Sequence, residues 1–346
     1  MFDTKIAILG SGGWGTALAN LLAGTGKKVA LWFYEQNVFS KTLSNGTNPY
    51  LPGIKLDLHR IKLTTELILA CSNKDYIILA NPAQHQRAVL QEIAGHLKPS
   101  AILINAAKGI EIAGFHLMSD IIKQTLPDHY YQTACYLSGG SFADELCAHQ
   151  VTAVDLASLD RDSLIKVRRL FLSSYFDLDP CQDIIGVQIG GALKNIIAIA
   201  AGILEGLNKD SYNTKAALMT KGLQEIKAFG KLRGAQAKTF SRLSGIGDLY
   251  ATTNNPNSRN YKFGYNIGQG KDIKSLIDTT PNTIEGYYTT KAVYEEVFAD
   301  PNQPLAHMPI TAELYHILYQ GKPLSKAWRD ILKKSFQTKK KFRERS

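Results

Sequence analysis

A lysine lies in the middle of the most apolar run of this sequence. Lys194 belongs to residues 186–207, GVQIGGALKNIIAIAAGILEGL, which are apolar almost all round and predict a helix buried inside its domain. An unpaired ammonium is costly to bury, and desolvation favours the neutral amine. A proton donor for carbonyl reduction needs these properties. A lone helical lysine more often extends to solvent, but the near-absence of a polar face here favours a chemical role.

A second group of polar residues follows in residues 245–260, GIGDLYATTNNPNSRN. Asp248 can pair with Lys194 and orient it, and Arg259 with the neighbouring amides can hold a phosphate in a forked geometry. The same loop-rich stretch also contains Thr252, Ser258 and Asn260. Aspartate and asparagine in such a stretch are also common helix caps and turn formers. The stretch therefore predicts a phosphate-binding loop, with a purely structural role as the alternative.

A glycine loop near the N-terminus fits the fingerprint of dinucleotide-binding folds. Gly10, Gly12 and Gly15 form GxGxxG between the strand-like residues 5–9 and the helix-like sequence TALANLLAG. Such glycines permit a tight turn and the close approach of a pyrophosphate, whose charge meets backbone N–H groups at the helix N-terminus. Glycine turns also join strands to helices for structural reasons alone. The position at the first strand-to-helix turn favours dinucleotide binding.

The end of the second predicted strand bears on the choice between NAD and NADP. A carboxylate there holds the adenosine ribose, whereas a basic residue accepts a 2′-phosphate. Residues 31–35 read LWFYE, with no lysine or arginine at the turn and a carboxylate, Glu35, one residue late. The pattern leans towards NAD and leaves both cofactors open.

The predicted elements divide the chain into two parts. Short β-rich runs alternate with helical patterns in the first part, which is typical of parallel βαβ units. The predicted strands are residues 5–9, 29–33, 76–79, 101–104, 134–137 and 151–157. Ligands bind at the carboxyl ends of such strands, where GSGGWG, NPAQHQ and AAKG follow, the last containing Lys108.

After about Asp183 the strand-like runs disappear and long helical patterns continue, with loops predicted at residues 254–260 and 278–282. The sequence therefore predicts an α/β fold with two domains. Residues 1–184 are expected to form an N-terminal Rossmann-like doubly wound sheet that binds a dinucleotide. Residues 185–332 are expected to form an all-helical substrate-binding and catalytic domain.

Composition and charge agree with a folded two-domain protein. The 346 residues are 45% hydrophobic and 20% charged, and a chain of this length commonly forms two cores. Residues 333–346 contain seven basic residues and one acidic residue, so this segment carries +6 of the net charge of +10. We interpret it as a basic, solvated C-terminal tail. Weak adhesion to RNA or to a membrane surface is a less favoured use.

Other classes of protein are disfavoured. The four cysteines form no CxxC pair and lack histidines at metal-ligand spacing, so we expect reduced thiols and no metal site. The N-terminus enters a strand without a secretion signal, and the apolar residues 196–204 are too few to span a bilayer, which needs about 20. We therefore expect a soluble, cytoplasmic protein without a transmembrane segment.

Six motifs resemble, in order, those of the bacterial-type NAD(P)-dependent glycerol-3-phosphate dehydrogenase family, from about residue 5 to about residue 330. They are the glycine loop at 10–15, AAKG at 106–109, SGGSFADE at 138–145, GALKN at 191–195, GDLYATT with SRN at 247–260, and IEG at 284–286. The resemblance implies an oxidoreductase that uses NAD or NADP to interconvert dihydroxyacetone phosphate and sn-glycerol 3-phosphate, the backbone of phospholipids. It also implies a homodimer.

The resemblance assigns roles to individual residues. Lys194 is implied to donate and accept the proton, with Asp248 and Lys108 as its partners at the reacting carbon. The implied substrate-binding residues are Lys108, Gly139, Ser141, Lys194, Asp248, Thr252, Ser258, Arg259 and Asn260, with Arg259 on the phosphate. The implied cofactor-binding residues are Gly10, Gly12, Gly13, Trp14, Gly15, Tyr34, Lys108, Ala143, Arg259, Thr283 and Glu285.

Three positions depart from the family pattern. Gly140 replaces the proline of SGPSFA, which loosens a loop that faces the substrate. Tyr34 stands where the family often has a basic residue, which weakens the case for NADP. NPAQ at residues 81–84 replaces the more usual VPS on the nicotinamide side.

Two alternatives accompany this interpretation. A β-hydroxyacid or ketopantoate-type reductase would share the two-domain plan, but a carboxylate substrate does not require the SRN cluster. A non-catalytic dinucleotide sensor could use the basic tail to bind nucleic acid, but it would not need Lys194 together with Asp248. We therefore expect a small phosphorylated substrate and no specific nucleic-acid partner.

Overall fold

The computed structural model describes residues 5–209, 211–280, 283–300, 305–327 and 330–331. The predicted basic tail at residues 333–346 lies outside them. Contacts divide the chain into two compact units: unit 1 contains Met1–Lys108 and His116–Gln188, and unit 2 contains Gly109–Phe115 and Ile189–Ser346. The domain boundary expected after residue 184 stays a prediction.

Unit 1 is built on one sheet, which has eight strands among the described residues. The strands are β1 Ile6–Leu9, β2 Val29–Trp32, β3 Ile61–Thr64, β4 Tyr76–Leu79, β5 Ile102–Asn105, β6 Cys135–Ser138, β7 Thr152–Ser158 and β8 Phe176–Cys181. Their order is β3-β2-β1-β4-β5-β6-β7-β8. The chain leaves β1 in one direction and β4 in the other, as in a doubly wound fold, so the predicted Rossmann-like class is confirmed.

The sequence missed the two edge strands, β3 and β8. An edge strand is half exposed, so it lacks the continuous apolar run of a buried parallel strand. Lys62 is exposed within β3, and Pro180 in β8 is tolerated because an edge strand need not donate every ladder hydrogen bond. The sheet is mostly parallel, and β6 and β7 are the pair that runs antiparallel.

Helices cover both faces of the sheet. Those of unit 1 are α1 Gly13–Gly24, α2 Gln36–Asn45, α3 Leu67–Cys71, α4 Gln86–Ile93, α5 Met118–Thr125, α6 Asp128–Thr133, α7 Ala143–Cys147 and α8 Arg161–Leu170. Alternate residues of β1 enter different cores: Ile6 and Ile8 pack in one cluster, and Ala7 and Leu9 in the other. Both faces of the sheet are therefore apolar, which explains the uninterrupted hydrophobic strands at its centre.

The named secondary-structure elements of unit 2, among its described residues, are all helices, joined by turns and loops. Its helices are α9 Ile184–Gly206, whose first residues belong to unit 1, then α10 Tyr212–Leu232, α11 Asp248–Asn254, α12 Arg259–Gly268, α13 Ile273–Thr279, α14 Glu285–Val297 and α15 Pro309–Gln320. At 23 residues, α9 extends well beyond the uninterrupted apolar run at residues 196–204, and by length and composition alone it could cross a bilayer. However, 94% of its apolar window is buried inside the protein, which makes it a core helix.

The stretch at residues 245–260 is more helical than predicted. A π-helical turn at Leu243–Gly247 leads directly into α11, and α12 begins at Arg259. The hydroxyl of Ser258 caps α12 by accepting a hydrogen bond from the Tyr261 amide at 3.4 Å. Polar residues that read as loop formers are therefore placed at helix starts, where they are favoured. The loop predicted from residue 278 begins later, because α13 continues to Thr279.

A buried carboxylate joins α10 to the start of α15. Glu225 accepts hydrogen bonds from the Ile310 amide at 2.6 Å, the Thr311 amide at 3.1 Å and the Thr311 hydroxyl at 2.8 Å. These bonds satisfy N–H groups that the first turn of a helix leaves without partners. Burial disfavours the charged carboxylate more than the hydrogen bonds favour it, and it raises the pKa of Glu225 to about 7.

This raised pKa predicts a pH dependence of stability. In the unfolded chain Glu225 ionises near its ordinary pKa of 4.5, while in the folded protein it stays protonated until about pH 7. Its contribution to the free energy of unfolding is therefore full below pH 4.5 and falls as the pH rises through 7, by about 3 kcal/mol. Urea denaturation of the wild type and of Glu225→Gln from pH 5 to pH 8 measures this. The free energy of unfolding of the wild type should fall relative to that of Glu225→Gln as the pH rises from 5 to about 7, and the difference should then level off; the exposed Glu295→Gln, measured in the same way, is the control.

Candidate active site

Lys194 of α9 is held inside unit 2 by two side chains from α11. Its ammonium donates hydrogen bonds to the Asp248 carboxylate and, at 2.7 Å, to the Thr252 hydroxyl. Lys194 is only 7% exposed and Asp248 is fully buried. The predicted pairing of Asp248 with Lys194 is therefore confirmed, and the alternative of a lysine that extends to solvent is wrong. A buried charge of this kind is tolerated because it is paired and hydrogen-bonded.

Small residues bring α11 to α9. A Cβ added at Gly190 would overlap the Ser244 carbonyl oxygen, and one at Gly245 would overlap the carbonyl oxygen of Phe240. Glycine at position 190 lets the turn Leu243–Gly247 pack directly on α9, and glycine at position 245 lets that turn fold closely onto Phe240. Because α11 starts immediately after this turn, its first residue, Asp248, reaches the lysine.

Asn260 connects three of the sequence motifs within unit 2. Its Nδ2 donates to Asn195 Oδ1 at 2.9 Å, and its Oδ1 accepts from the Gly286 amide at 2.9 Å. The SRN motif is thereby tied to GALKN and to the start of α14 in IEG. These two hydrogen bonds fix the side-chain amide of Asn260, whose predicted contact with the substrate stays a prediction.

Arg259 lies beside Asn260 at the first position of α12. Arg259 is exposed, whereas Lys194 and Asp248 are buried. Although the residue has a large exposed surface, the protein packed around its guanidinium lowers the pKa of that group by desolvation, and the charge of Glu285 opposes this shift. The guanidinium keeps its proton at neutral pH, as arginine does in proteins generally. Glu285 begins α14, and Thr283 precedes it by two residues. Three of the residues predicted to bind the cofactor, Arg259, Thr283 and Glu285, therefore lie at or near the starts of α12 and α14.

Lys108 belongs to unit 1, where it follows β5. Its ammonium donates to the Gly139 carbonyl oxygen at 2.5 Å and to the Ser141 hydroxyl at 3.1 Å. Gly139 directly follows β6 and lies close to β7, since a Cβ there would be 2.8 Å from Val154 Cα. The structure thus brings together the predicted residues of AAKG and SGGSFADE.

The glycine loop of unit 1 has the shape that a dinucleotide needs. Gly10 has a φ of +118°, and a Cβ on it would lie 2.6 Å from the Asn81 nitrogen. A Cβ on Gly15 would overlap the Gly10 carbonyl oxygen, whereas one on Gly12 would meet nothing within 4 Å. The first turn of α1 has neither a capping side chain nor an acidic residue, so its N–H groups can receive an anion. These features fit NAD or NADP.

The other residues of unit 1 that are predicted to bind the cofactor differ in their contacts and in their exposure. Gly13 lies near Ala143, because a Cβ on the glycine would be 3.8 Å from the Ala143 Cβ. Trp14 is half-buried against the core of unit 1. Tyr34 is 84% exposed, with its ring 6.2 Å from that of Trp32.

Sequence reasoning missed a buried asparagine that supports the loop. Asn48 Nδ2 donates to the Ser11 carbonyl oxygen at 2.8 Å and to the Thr16 hydroxyl at 2.9 Å. Asn195, which accepts from Asn260, was also missed as a functional residue although it lies in GALKN. Neither residue has a spacing that would single it out, since their partners are distant in sequence.

The chain matches the NAD-dependent glycerol-3-phosphate dehydrogenase N-terminus over residues 5–164 and the C-terminus of the same enzymes over residues 183–329. It belongs to this family. A glycerol-3-phosphate dehydrogenase (NAD(P)+) of Geobacter metallireducens is 39% identical over 95% of this chain and 96% of its own length. One from Carboxydothermus hydrogenoformans is 40% identical over 93% of this chain and 94% of its own length.

Solved structures agree with membership of the glycerol-3-phosphate dehydrogenase family. The crystal structure of glycerol-3-phosphate dehydrogenase from Coxiella burnetii has a TM-score of 0.88 at 31% identity, covering 95% of this chain and 98% of that chain. A ketopantoate reductase from Ralstonia eutropha has a TM-score of 0.57 at 12% identity, covering 94% and 99%. The second similarity concerns the fold alone. The predicted family and cofactor class are therefore confirmed.

Two glycine substitutions separate folding from cofactor binding. Gly15→Ala places a methyl group against the Gly10 carbonyl oxygen, so we expect a loss of about 1–3 kcal/mol in the free energy of unfolding. At Gly12 an added methyl group would meet no atom within 4 Å, so the stability of Gly12→Ala should match that of the wild type. Its affinity for NADH should fall, because the methyl group would lie in the glycine loop where the pyrophosphate binds. Denaturant unfolding and calorimetric titration of NADH measure the two effects. Equal stability of the two variants would contradict the packing argument.

Proposed function

We propose that this chain catalyses the NAD(P)-dependent interconversion of dihydroxyacetone phosphate and sn-glycerol 3-phosphate. The observation that carries the proposal is the buried Lys194–Asp248 pair with Thr252 beside it. Family membership supports the same reaction, because the relatives named above carry the name of that enzyme. The pair supplies what carbonyl reduction requires, namely a proton held at a fixed place in a site largely closed to water.

Lys194 is the proposed proton donor to the carbonyl oxygen, and in the reverse direction it accepts the hydroxyl proton. Asp248 and Thr252 restrict the position of its amine through their two hydrogen bonds. A restricted amine loses little entropy when the substrate arrives, and its positive charge stabilises the developing oxyanion. Asp248 also balances the charge of the lysine before the proton is transferred.

The cofactor is proposed to lie along unit 1. When bound, the reduced nicotinamide supplies a hydride to the ketone carbon. The loop of Gly10, Gly12 and Gly15 and the start of α1 hold the pyrophosphate. The further proposed cofactor contacts are Gly13, Trp14, Tyr34, Lys108, Ala143, Arg259, Thr283 and Glu285.

The phosphate of the substrate is proposed to bind Arg259, whose planar guanidinium suits a phosphate better than a point charge does. Its exposure and its place at the start of α12 support this assignment. Ser258, Gly139, Ser141 and Lys108 complete the proposed substrate contacts. For Asn260 the two internal hydrogen bonds support a positioning role for its neighbour Arg259.

We further propose that the enzyme acts as a homodimer in the cytoplasm and supplies the glycerol phosphate backbone of phospholipids. The order of the six motifs supports this, as does the near-complete coverage of the bacterial relatives.

The substrate assignment predicts selectivity that Arg259 controls. Oxidation of the reduced cofactor should be rapid with dihydroxyacetone phosphate and absent with ketopantoate. Arg259→Gln should raise KM for dihydroxyacetone phosphate by roughly 10- to 100-fold, because a charge-assisted hydrogen bond is lost. Lys262→Ala removes an exposed cation of the same helix and should leave KM unchanged. Turnover of ketopantoate in place of the phosphorylated ketone would overturn the proposal.

The proposed role of Lys194 predicts a loss of turnover that stability does not explain. Lys194→Met leaves Asp248 buried without its counter-charge, so it should be destabilised by roughly 3–5 kcal/mol. The double variant Lys194→Met/Asp248→Asn removes both charges and should regain most of that stability. Neither variant should reduce dihydroxyacetone phosphate, while the double variant should bind NADH with the wild-type Kd. Turnover by the double variant at a rate near the wild type would rule out the lysine as proton donor.

A further inference from the structure

Glu35 lies where the second strand of unit 1 meets the glycine loop. It directly precedes α2 and follows β2, whose last residue, Trp32, is in register with Leu9 of β1. The Gly10 amide donates to the Trp32 carbonyl oxygen at 3.4 Å. The ends of β1 and β2 are thus joined, which places the turn after β2 beside the turn that receives the pyrophosphate.

A tyrosine fixes the Glu35 side chain. The Tyr50 hydroxyl donates to Glu35 Oε2 at 2.7 Å. Tyr50 is anchored in turn, because its amide donates to Asn48 Oδ1 at 2.9 Å. Asn48 is 1% exposed and its Nδ2 binds the glycine loop at Ser11 and Thr16. A continuous chain of hydrogen bonds therefore runs from the pyrophosphate turn through Asn48 and Tyr50 to the carboxylate.

Tyr50 remains a donor throughout the neutral pH range. Partial burial raises the pKa of its hydroxyl to about 12, and the hydrogen bond and negative charge of Glu35 act in the same direction. The carboxylate is exposed although it is held, so a ligand can reach it. Its position does not depend on a ligand, and this preorganisation lowers the entropic cost of binding.

The charges around Glu35 disfavour a phosphate. Residues 31–40 contain no lysine or arginine, and Tyr34 at the turn is 84% exposed. In this fold the end of the second strand faces the adenosine ribose. A ribose hydroxyl can donate a charge-assisted hydrogen bond to a carboxylate, whereas a 2′-phosphate would place two negative groups together at a turn whose own residues, 31–40, contain no cation.

We propose that Glu35, positioned by Tyr50, makes this chain select NAD(H) over NADP(H). The carboxylate accepts hydrogen bonds from the adenosine ribose and repels the 2′-phosphate. Tyr50 is a positioning residue that acts through Glu35. The inference rests on the proposed use of a dinucleotide by unit 1, but it requires neither the substrate nor the role of Lys194.

Calorimetric titration of the full chain with NADH and with NADPH, in the absence of substrate, tests the proposal. The wild type should bind NADH more tightly by at least about tenfold. Glu35→Gln keeps the size of the side chain but removes its charge. The Kd for NADPH divided by the Kd for NADH should therefore fall by about tenfold or more. Glu66→Gln is the matched control, because Glu66 is an exposed glutamate that directly precedes α3 after the neighbouring strand β3. Its ratio should equal that of the wild type.

Tyr50→Phe tests the positioning role. It should lower the same ratio in the direction of Glu35→Gln but by less, and it should add nothing in the double variant, since the tyrosine acts through the carboxylate. A tyrosine that only supported the fold would weaken both cofactors equally and leave the ratio unchanged. The proposal is overturned if the wild type binds NADPH as tightly as NADH, or if Glu35→Gln leaves the ratio intact. Failure of the enzymatic proposal would look different, as absent turnover of dihydroxyacetone phosphate with cofactor selectivity preserved.

Discussion

The ion pair of Lys194 and Asp248 sets the architecture of unit 2. A lysine in the centre of an apolar helix is tolerated only if a carboxylate reaches it, because an unpaired buried charge would cost several kcal/mol. That carboxylate is 54 residues away in sequence. The chain must therefore return to α9 with little space between backbones, which is why Gly190 faces the turn Leu243–Gly247. The need to neutralise one amine thus determines where α11 begins.

The same constraint explains why the motifs of unit 2 are widely spaced in sequence. Asn195 directly follows Lys194, and its side-chain oxygen accepts a hydrogen bond from Asn260 at the start of α12. The side-chain oxygen of Asn260 in turn accepts a hydrogen bond from the Gly286 amide in the first turn of α14. A Cβ on Gly286 would lie 2.7 Å from Asn260 Oδ1 and 2.8 Å from the Asn195 carbonyl oxygen. Glycine is needed there for contact, not for an unusual backbone angle. GALKN, SRN and IEG are therefore parts of one hydrogen-bonded junction around α9.

Local patterns in the sequence predicted the centre of the fold and failed at its edges. The inner strands and α9 are recognisable because burial on all sides leaves long apolar runs, and Lys194 stands out against such a run. Strands β3 and β8 are half exposed and carry no such run. Asn48 and Tyr50 could not be found, because their importance arises from contacts to Ser11, Thr16 and Glu35 that no periodicity encodes. The sequence thus indicates which groups can do chemistry more readily than which groups hold them in place.

The start of α1 shows how this chain gives up stability where a ligand is to bind. Some of its helices are capped by side chains: Asp160 accepts from the Ser163 amide at 2.8 Å before α8, and Asp272 accepts from the Ser275 amide at 2.7 Å before α13. A cap of this kind contributes about 1 kcal/mol. Helix α1 instead begins after Gly12, with no capping side chain and no acid in its first turn. An aspartate there would stabilise the free protein and repel a pyrophosphate, so the missing cap favours the bound state over the free one.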